Sequence, residues 1–229
     1  NANDCNDAVS PLIFVIANPE ILAHLIPFVA VLSATRIKLF VPTANLLSDV
    51  PAPTNKSPVV YVDMDGVLAD FFHEYAKLAG VPPNKFGHHD YRSIPPASKD
   101  PTLDKMIGTD FFGRLPKFPT ADHLVKMVLE YVPHYSICSS PLRGDHANSE
   151  HWKRVWIGEH LSPAPTDIVI TGQKERYAVN KDGSPNILID DRGENIQRWR
   201  DKGGIGIKYQ ADEDSLDKVV RGLALVYGH

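Results

Sequence analysis

With 229 residues, 43% hydrophobic and 23% charged, the chain has an ordinary soluble composition, long enough for one large α/β domain or one domain with an insertion and an extra terminal segment. A net charge of −4 and no lysine- or arginine-rich block argue against a nucleic-acid polymer as partner, while leaving a small phosphorylated molecule open. Only two cysteines occur: Cys5 in a polar tail and Cys138 in an apolar run. They do not suggest a disulfide framework and point to a reducing, cytoplasmic setting.

Residues 11–33 are the most apolar stretch, but Asn18, Pro19, Glu20, His24 and Pro27 interrupt it. A membrane-spanning helix needs roughly 20 uninterrupted apolar residues, and a cleavable leader needs a charged start and a small-residue cleavage site. No membrane role is therefore expected. Within this region a helix is predicted over 18–33, with Pro19 at its first position, and a short alternating strand over 36–41. Residues 51–58 (PAPTNKSP) read as a linker, so residues 1–57 form an N-terminal segment of unknown role. Its apolar content suggests that it packs on the core or mediates self-association into a homo-oligomer.

From residue 58 to 229 the pattern is α/β. Short apolar runs at 59–62, 134–138, 167–170, 186–189 and 204–208 read as buried parallel strands. Helical stretches at 70–79, 120–131, 147–160, 193–202 and 212–226 alternate with them, and Trp152, Trp156 and Trp199 are expected to pack against the sheet. This order predicts a Rossmann-like, doubly wound parallel sheet. Residues 81–118, rich in Pro, His and Phe, break the alternation and read as an insertion.

Three strands end in polar residues: VVYV before Asp63-Met64-Asp65-Gly66, SIC before Ser139-Ser140, and ILI before Asp190-Asp191. In an open α/β sheet these ends line the ligand crevice. Four carboxylates brought together repel one another and call for a cation, and oxygen ligands suit Mg²⁺ together with a substrate phosphate. In such a site Asp63 can attack phosphorus, and Asp65 can protonate the leaving alcohol and later deprotonate water. Ser139 can donate to a phosphate oxygen, and a lysine can neutralise developing charge. Taken singly, each of these is an ordinary turn, cap or surface residue; their order along the chain is what carries the argument. The ten histidines, His88-His89 among them, lack zinc-site spacing and read as surface residues.

DMDGV at 63–67, Ser139, Lys174 in ITGQK and the Asp190-Asp191 pair resemble, in order and spacing, the four motifs of haloacid-dehalogenase (HAD) phosphatases. YVDMDGVLADF, DFFGRLPKFPTA, SICSSPL, KRVWIGEHLSP and ILIDDR are similar to segments of the 5′(3′)-deoxyribonucleotidases and their bacterial and phage relatives, a likeness running from about residue 59 to 200. The resemblance implies a HAD fold with a small helical cap at about 72–118, Mg²⁺ as cofactor, and a nucleoside monophosphate as substrate. It implies Asp63 as nucleophile and Asp65 as acid/base. Mg²⁺ would be held by Asp63, the backbone carbonyl of Asp65, and a motif-four aspartate, Asp191 in preference to Asp190. Ser139 and Lys174 would hold the phosphate, and Ser140 and Lys153 would lie near the phosphate or sugar. Phe71 and Phe112 would contact the base. Two positions depart from the group: Ser139 stands where threonine is usual, and Gly172 where an arginine is. A HAD phosphatase for a sugar phosphate would share every one of these motifs. A non-catalytic partner-binding module would leave the buried carboxylates without purpose.

Overall fold

Valine and isoleucine alternate with other side chains along strands too short to span more than the centre of a sheet, and that alternation divides the core in two. In the computed structural model, which describes residues 58–228, Val60, Tyr61 and Val62 form β1 and are all buried. Val60 and Val62 belong to one apolar cluster and Tyr61 to the other. Both faces of the sheet are covered, as a parallel sheet requires. The expectations for residues 1–57 lie outside the described residues.

The remaining strands are β2 (Tyr135–Ser139), β3 (Ile168–Ile170), β4 (Ile187–Asp190) and β5 (Ile205–Lys208), in the order β3-β2-β1-β4-β5 with every pairing parallel. The chain runs outward from β1 to β3 and then crosses back to place β4 on the other side of β1. The switch in direction therefore lies between β1 and β4, where ligand crevices open in such sheets. The helices are α1 (Phe71–Leu78), α2 (Pro96–Asp104), α3 (Ala121–Tyr131), α4 (His146–His160), α5 (Gly193–Asp201) and α6 (Asp217–Tyr227).

The larger cluster joins one sheet face to Leu124, Val125 and Val128 of α3, Trp156 and Ile157 of α4, and Val219 and Leu223 of α6. On the opposite face Ile196 and Trp199 of α5 pack with Tyr61, Cys138 and Leu188. Trp156 and Trp199 are fully buried, and each indole N–H finds a carbonyl: Leu115 at 2.7 Å and Asn186 at 3.0 Å. Trp152 is only partly buried. Gly204 allows Trp199 its place, since a methyl group there would lie 2.3 Å from the indole nitrogen.

The last helix begins at Asp217 rather than near 212. Asp214 turns the chain first, accepting from the Gln210 N–H at 2.9 Å and from Lys218 at 3.0 Å. Its carboxylate offers the backbone a turn in place of a helix start. Between α1 and α3 lie α2 and two 3₁₀ turns, Tyr91–Ser93 and Phe111–Arg114. This segment leaves and returns through a two-stranded neck: Phe118 N–H donates to the Leu68 carbonyl at 2.9 Å and Asp70 N–H to the Pro116 carbonyl at 2.8 Å. No helix among the described residues is long and apolar enough to cross a membrane.

Candidate active site

The end of β1 is bound to its neighbour before it turns. Asp63 N–H donates to the Ile189 carbonyl at 2.9 Å, and one Asp63 carboxylate oxygen accepts from Met64 N–H at 2.7 Å. The loop then doubles back, with Leu68 and Ala69 N–H both donating to the Met64 carbonyl. Gly66 adopts φ +74°, and a Cβ there would meet the Phe72 ring at 2.6 Å and the Asp191 carboxyl carbon at 3.1 Å. Glycine is thus what lets Asp191 approach the loop carrying Asp63 and Asp65.

Two buried lysines organise the carboxylates. Lys174, in the 3₁₀ turn Lys174–Tyr177 after β3, lies 2.8 Å from Asp63 Oδ2 and donates to Asp190 Oδ2 at 2.7 Å. Lys153 reaches from α4 to Asp65 Oδ2 at 2.5 Å, Ser139 Oγ at 3.0 Å and the Ser140 carbonyl at 2.8 Å. Its ammonium also stands 4.6 Å from the centre of the Phe112 ring. Asp190 is fully engaged, accepting from Lys174, from the Asn195 amide and from Arg192 N–H. Asp191 has no hydrogen-bond donor on its carboxylate among the described residues, and Asp65 Oδ1 is buried without a partner.

One oxygen each from Asp63, Asp190 and Asp191 lies within 4.8 Å of the others. Four carboxylates against two ammonium groups leave a formal charge of −2. The titration of each group reflects its place. Burial works to raise Asp63, but Lys174 and Lys153 outweigh it and hold the carboxyl below its usual range. For Asp65, Asp190 and Asp191 burial prevails and raises the pKa. Asp191 rises furthest, pushed also by Asp63 and Asp190. Burial would lower Lys174, but Asp63 and Asp190 raise it and keep it charged. The chemistry of this donor set fits a divalent cation with oxygen ligands.

These groups border a cleft of about 370 Å³. Of the residues singled out from sequence, Asp63, Asp65, Asp191, Ser140, Phe71 and Phe112 line it. Ser139, Lys153, Lys174 and Asp190 stand behind, connected to the lining by the bonds above. Phe71 stacks on Phe112 at 6.2 Å and on Tyr75 at 5.5 Å, so the aromatic side of the cleft is a packed group. Phe72, Tyr75, Leu103, Leu142, Arg143 and Arg192 also line the cleft and were not anticipated. Tyr75 follows Phe71 by four residues and shares its helix face, a signal that was available. Arg143 carried none. A side chain at Gly172 would meet nothing within 4 Å, so packing does not demand the glycine there.

Among solved structures, L-2-haloacid dehalogenase from Xanthobacter autotrophicus is similar at 12% identity and TM-score 0.44, over 76% of this chain and 84% of that one. A HAD-superfamily hydrolase from Ehrlichia chaffeensis is similar at 16% identity and TM-score 0.41, over 75% and 98%. No curated protein sequence matches. Residues 57–217 match the family model for 5′ nucleotidase, deoxy (pyrimidine), cytosolic type C protein. That match spans most of the chain and includes all the strand-end residues described above. The chain therefore belongs to the 5′ nucleotidase, deoxy (pyrimidine), cytosolic type C family, whose members are phosphoric monoester hydrolases.

Proposed function

We propose that the protein hydrolyses nucleoside monophosphates, deoxy forms included, through a phospho-aspartate on Asp63 with Mg²⁺ bound beside it. The observation that carries this reading is the Asp63 carboxylate itself: ionised by two buried lysines, and bordering a cleft that Phe71, Phe72, Tyr75 and Phe112 also line. An anionic nucleophile for phosphorus and a flat apolar surface for a base meet in one cavity.

In this scheme a carboxylate oxygen of Asp63 attacks phosphorus and the ester P–O bond breaks. The leaving alkoxide takes a proton from Asp65, whose raised pKa favours carrying one and whose Oδ1 has no competing partner. Asp65 then deprotonates water, which attacks the phospho-aspartate, releasing phosphate and restoring Asp63. Lys174 keeps Asp63 ionised, and Ser139 and Ser140 serve the phosphate oxygens. Lys153 orients Asp65. Phe71 and Phe112, with Tyr75 of α1 stacked on Phe71, provide the surface for the base.

Asp63, the Asp65 carbonyl and Asp191 would hold Mg²⁺, Asp190 being occupied by Lys174 and Asn195. The ion would supply charge neutralisation for two anions that must meet. We assign residues 72–118 as the cap, a unit joined to the core residues 58–71 and 119–229 through the neck and able to exclude water over the cleft.

Phosphate release tests the reading, measured on dUMP, dTMP, dGMP, UMP, 3′-nucleotides and several sugar phosphates, with Mg²⁺ and with EDTA. Metal-dependent release strongest on the nucleotides is expected. Release chiefly from sugar phosphates would overturn the substrate while keeping the chemistry.

Stability should report the metal independently. Asp65, Asp190 and Asp191 have raised pKa values, so the folded state binds more protons than the unfolded chain between about pH 4 and the raised values. Metal-free protein should therefore lose stability as pH rises from 5 to 7.5, and Mg²⁺ should remove most of that loss. Thermal unfolding at both pH values in EDTA and in Mg²⁺ checks this; a metal-free Tm that rises with pH would contradict it.

A further inference from the structure

Histidines that are scattered in sequence come together beside the neck. His73 lies in the first turn of α1, and His88 and His89 lie on the loop that precedes Tyr91. The His73 ring stands 4.8 Å from that of His88 and 5.0 Å from that of His89, measured between centroids. One ligand atom each from Asp70, His73 and His88 lies within 4.8 Å of the others.

The surrounding bonds decide which nitrogens are available. His89 Nδ1 is 2.5 Å from the Val81 carbonyl oxygen, which can only accept, so that nitrogen carries a proton and His89 is spent on the backbone. The His89 backbone N–H in turn donates to His73 Nδ1 at 3.2 Å. His73 Nδ1 is therefore an unprotonated lone pair, and the neutral ring carries its proton on Nε2. That N–H lies 4.0 Å from Glu74 Oε1. An unprotonated ring nitrogen is the form in which a neutral histidine ligates metals. Asp70 caps α1 through Oδ1, which accepts from His73 N–H at 3.3 Å, and it has no ion-pair partner among the described residues. Asp212 is close enough to add negative charge to the site, and burial keeps the Asp70 carboxyl above its usual range.

We propose that Asp70, His73 and His88 form a second metal site, selective for a borderline transition ion such as Zn²⁺ and separate from the carboxylate cluster at Asp63. Two imidazoles and one carboxylate suit Zn²⁺, Co²⁺ or Ni²⁺ and not Mg²⁺. Bonds of about 2.0–2.1 Å would place the ligands roughly 3.4 Å apart, so separations of up to 4.8 Å must close by up to about 1.4 Å. The His88 side belongs to an exposed loop, held by an Asn84 side chain that accepts from Phe86 N–H and His88 N–H, and can supply that movement. His89 N–H gives way to the ion at His73 Nδ1. A bound ion would tie the first turn of α1, next to Phe71 and Phe72 of the cleft, to the loop at 82–90.

The test is Zn²⁺ uptake by the full chain at equilibrium in saturating Mg²⁺, comparing wild type, Asp63→Asn and His88→Ala. Wild type and Asp63→Asn are expected to bind one ion with the same affinity, and His88→Ala at least about tenfold more weakly. Co²⁺ in place of Zn²⁺ should give visible absorption bands that His88→Ala removes. His88 is exposed, so its truncation leaves the fold intact. No saturable uptake by wild type would overturn the proposal. So would unchanged uptake by His88→Ala, or a site lost in Asp63→Asn, which would assign the ion to the carboxylate cluster.

Discussion

Replacing Asp63 with asparagine should reduce phosphate release by about 10⁴-fold or more, as removal of a covalent nucleophile does in enzymes whose catalytic groups act as a unit. The variant is nearly isosteric, and Lys174 keeps its second partner, Asp190, at 2.7 Å. Unfolding should therefore remain cooperative, and the loss should appear in turnover. Retention of even a tenth of the wild-type rate in the same Mg²⁺ buffer would remove Asp63 from the role of nucleophile. The retained Lys174–Asp190 pair makes that outcome readable, because a misfolded variant would instead lose its unfolding transition.

The largest stability effect should come from Lys174→Met. This lysine is 2% exposed and is the direct cation partner of both Asp63 and Asp190. Removing one partner of a buried ion group leaves the other charges uncompensated, which costs about 3–5 kcal/mol. Asp63 and Asp190 would then hold their protons to higher pH. Urea unfolding at pH 7.5 should show the loss, and lowering the pH to 5.5 should recover part of it as the carboxylates neutralise. Mg²⁺ should also recover part, by substituting its charge for the ammonium. A change under 1 kcal/mol would mean that water already reaches these carboxylates.

How far the sequence carried the fold follows from what each signal measures. The runs VVYV, SIC, IVI and ILI report burial on both faces, and burial on both faces in short segments has one common solution, the parallel sheet. The five strands and five main helices fall within a few residues of their expected places. Asp214 moved the start of α6 because a side-chain hydrogen bond competed with helical periodicity, which a pattern of apolar residues does not register. α2 opens on Pro96 and carries Pro101 inside it, and these prolines hid the bounds of a helix in a stretch read as an insertion bearing a small helical cap.

In and behind the cleft, the residues that local sequence placed together were those fixed to strand ends: Asp63, Asp65, Ser139, Ser140, Asp190 and Asp191. Strand ends are positioned by backbone pairing, so local sequence suffices to locate them. Lys153 and Lys174 arrive from other elements and were reached only through resemblance. Arg143, Leu103 and the His73–His88 meeting depend on how the segment between α1 and α3 folds back, and nothing local to those residues encodes it. Asp190 illustrates a further limit. Its neighbour Asp191 is chemically identical, and the Lys174, Asn195 and Arg192 bonds to Asp190 distinguish which of the two is left open.

The neck at Leu68–Asp70 and Pro116–Phe118 has a consequence for how such a chain can change. Because Leu68 and Phe118 are joined by a 2.9 Å hydrogen bond, the forty-odd residues between them form a closed excursion with coincident ends. The entropy of closing that excursion grows only with the logarithm of its length, while Leu115, through its carbonyl, and Phe112 anchor it on α4. A replacement segment whose ends also meet could be grafted at these two residues without relinking a strand. Under the proposed function, selectivity would sit on the excursion and phosphorus chemistry on the strand ends, so that the two could be exchanged separately.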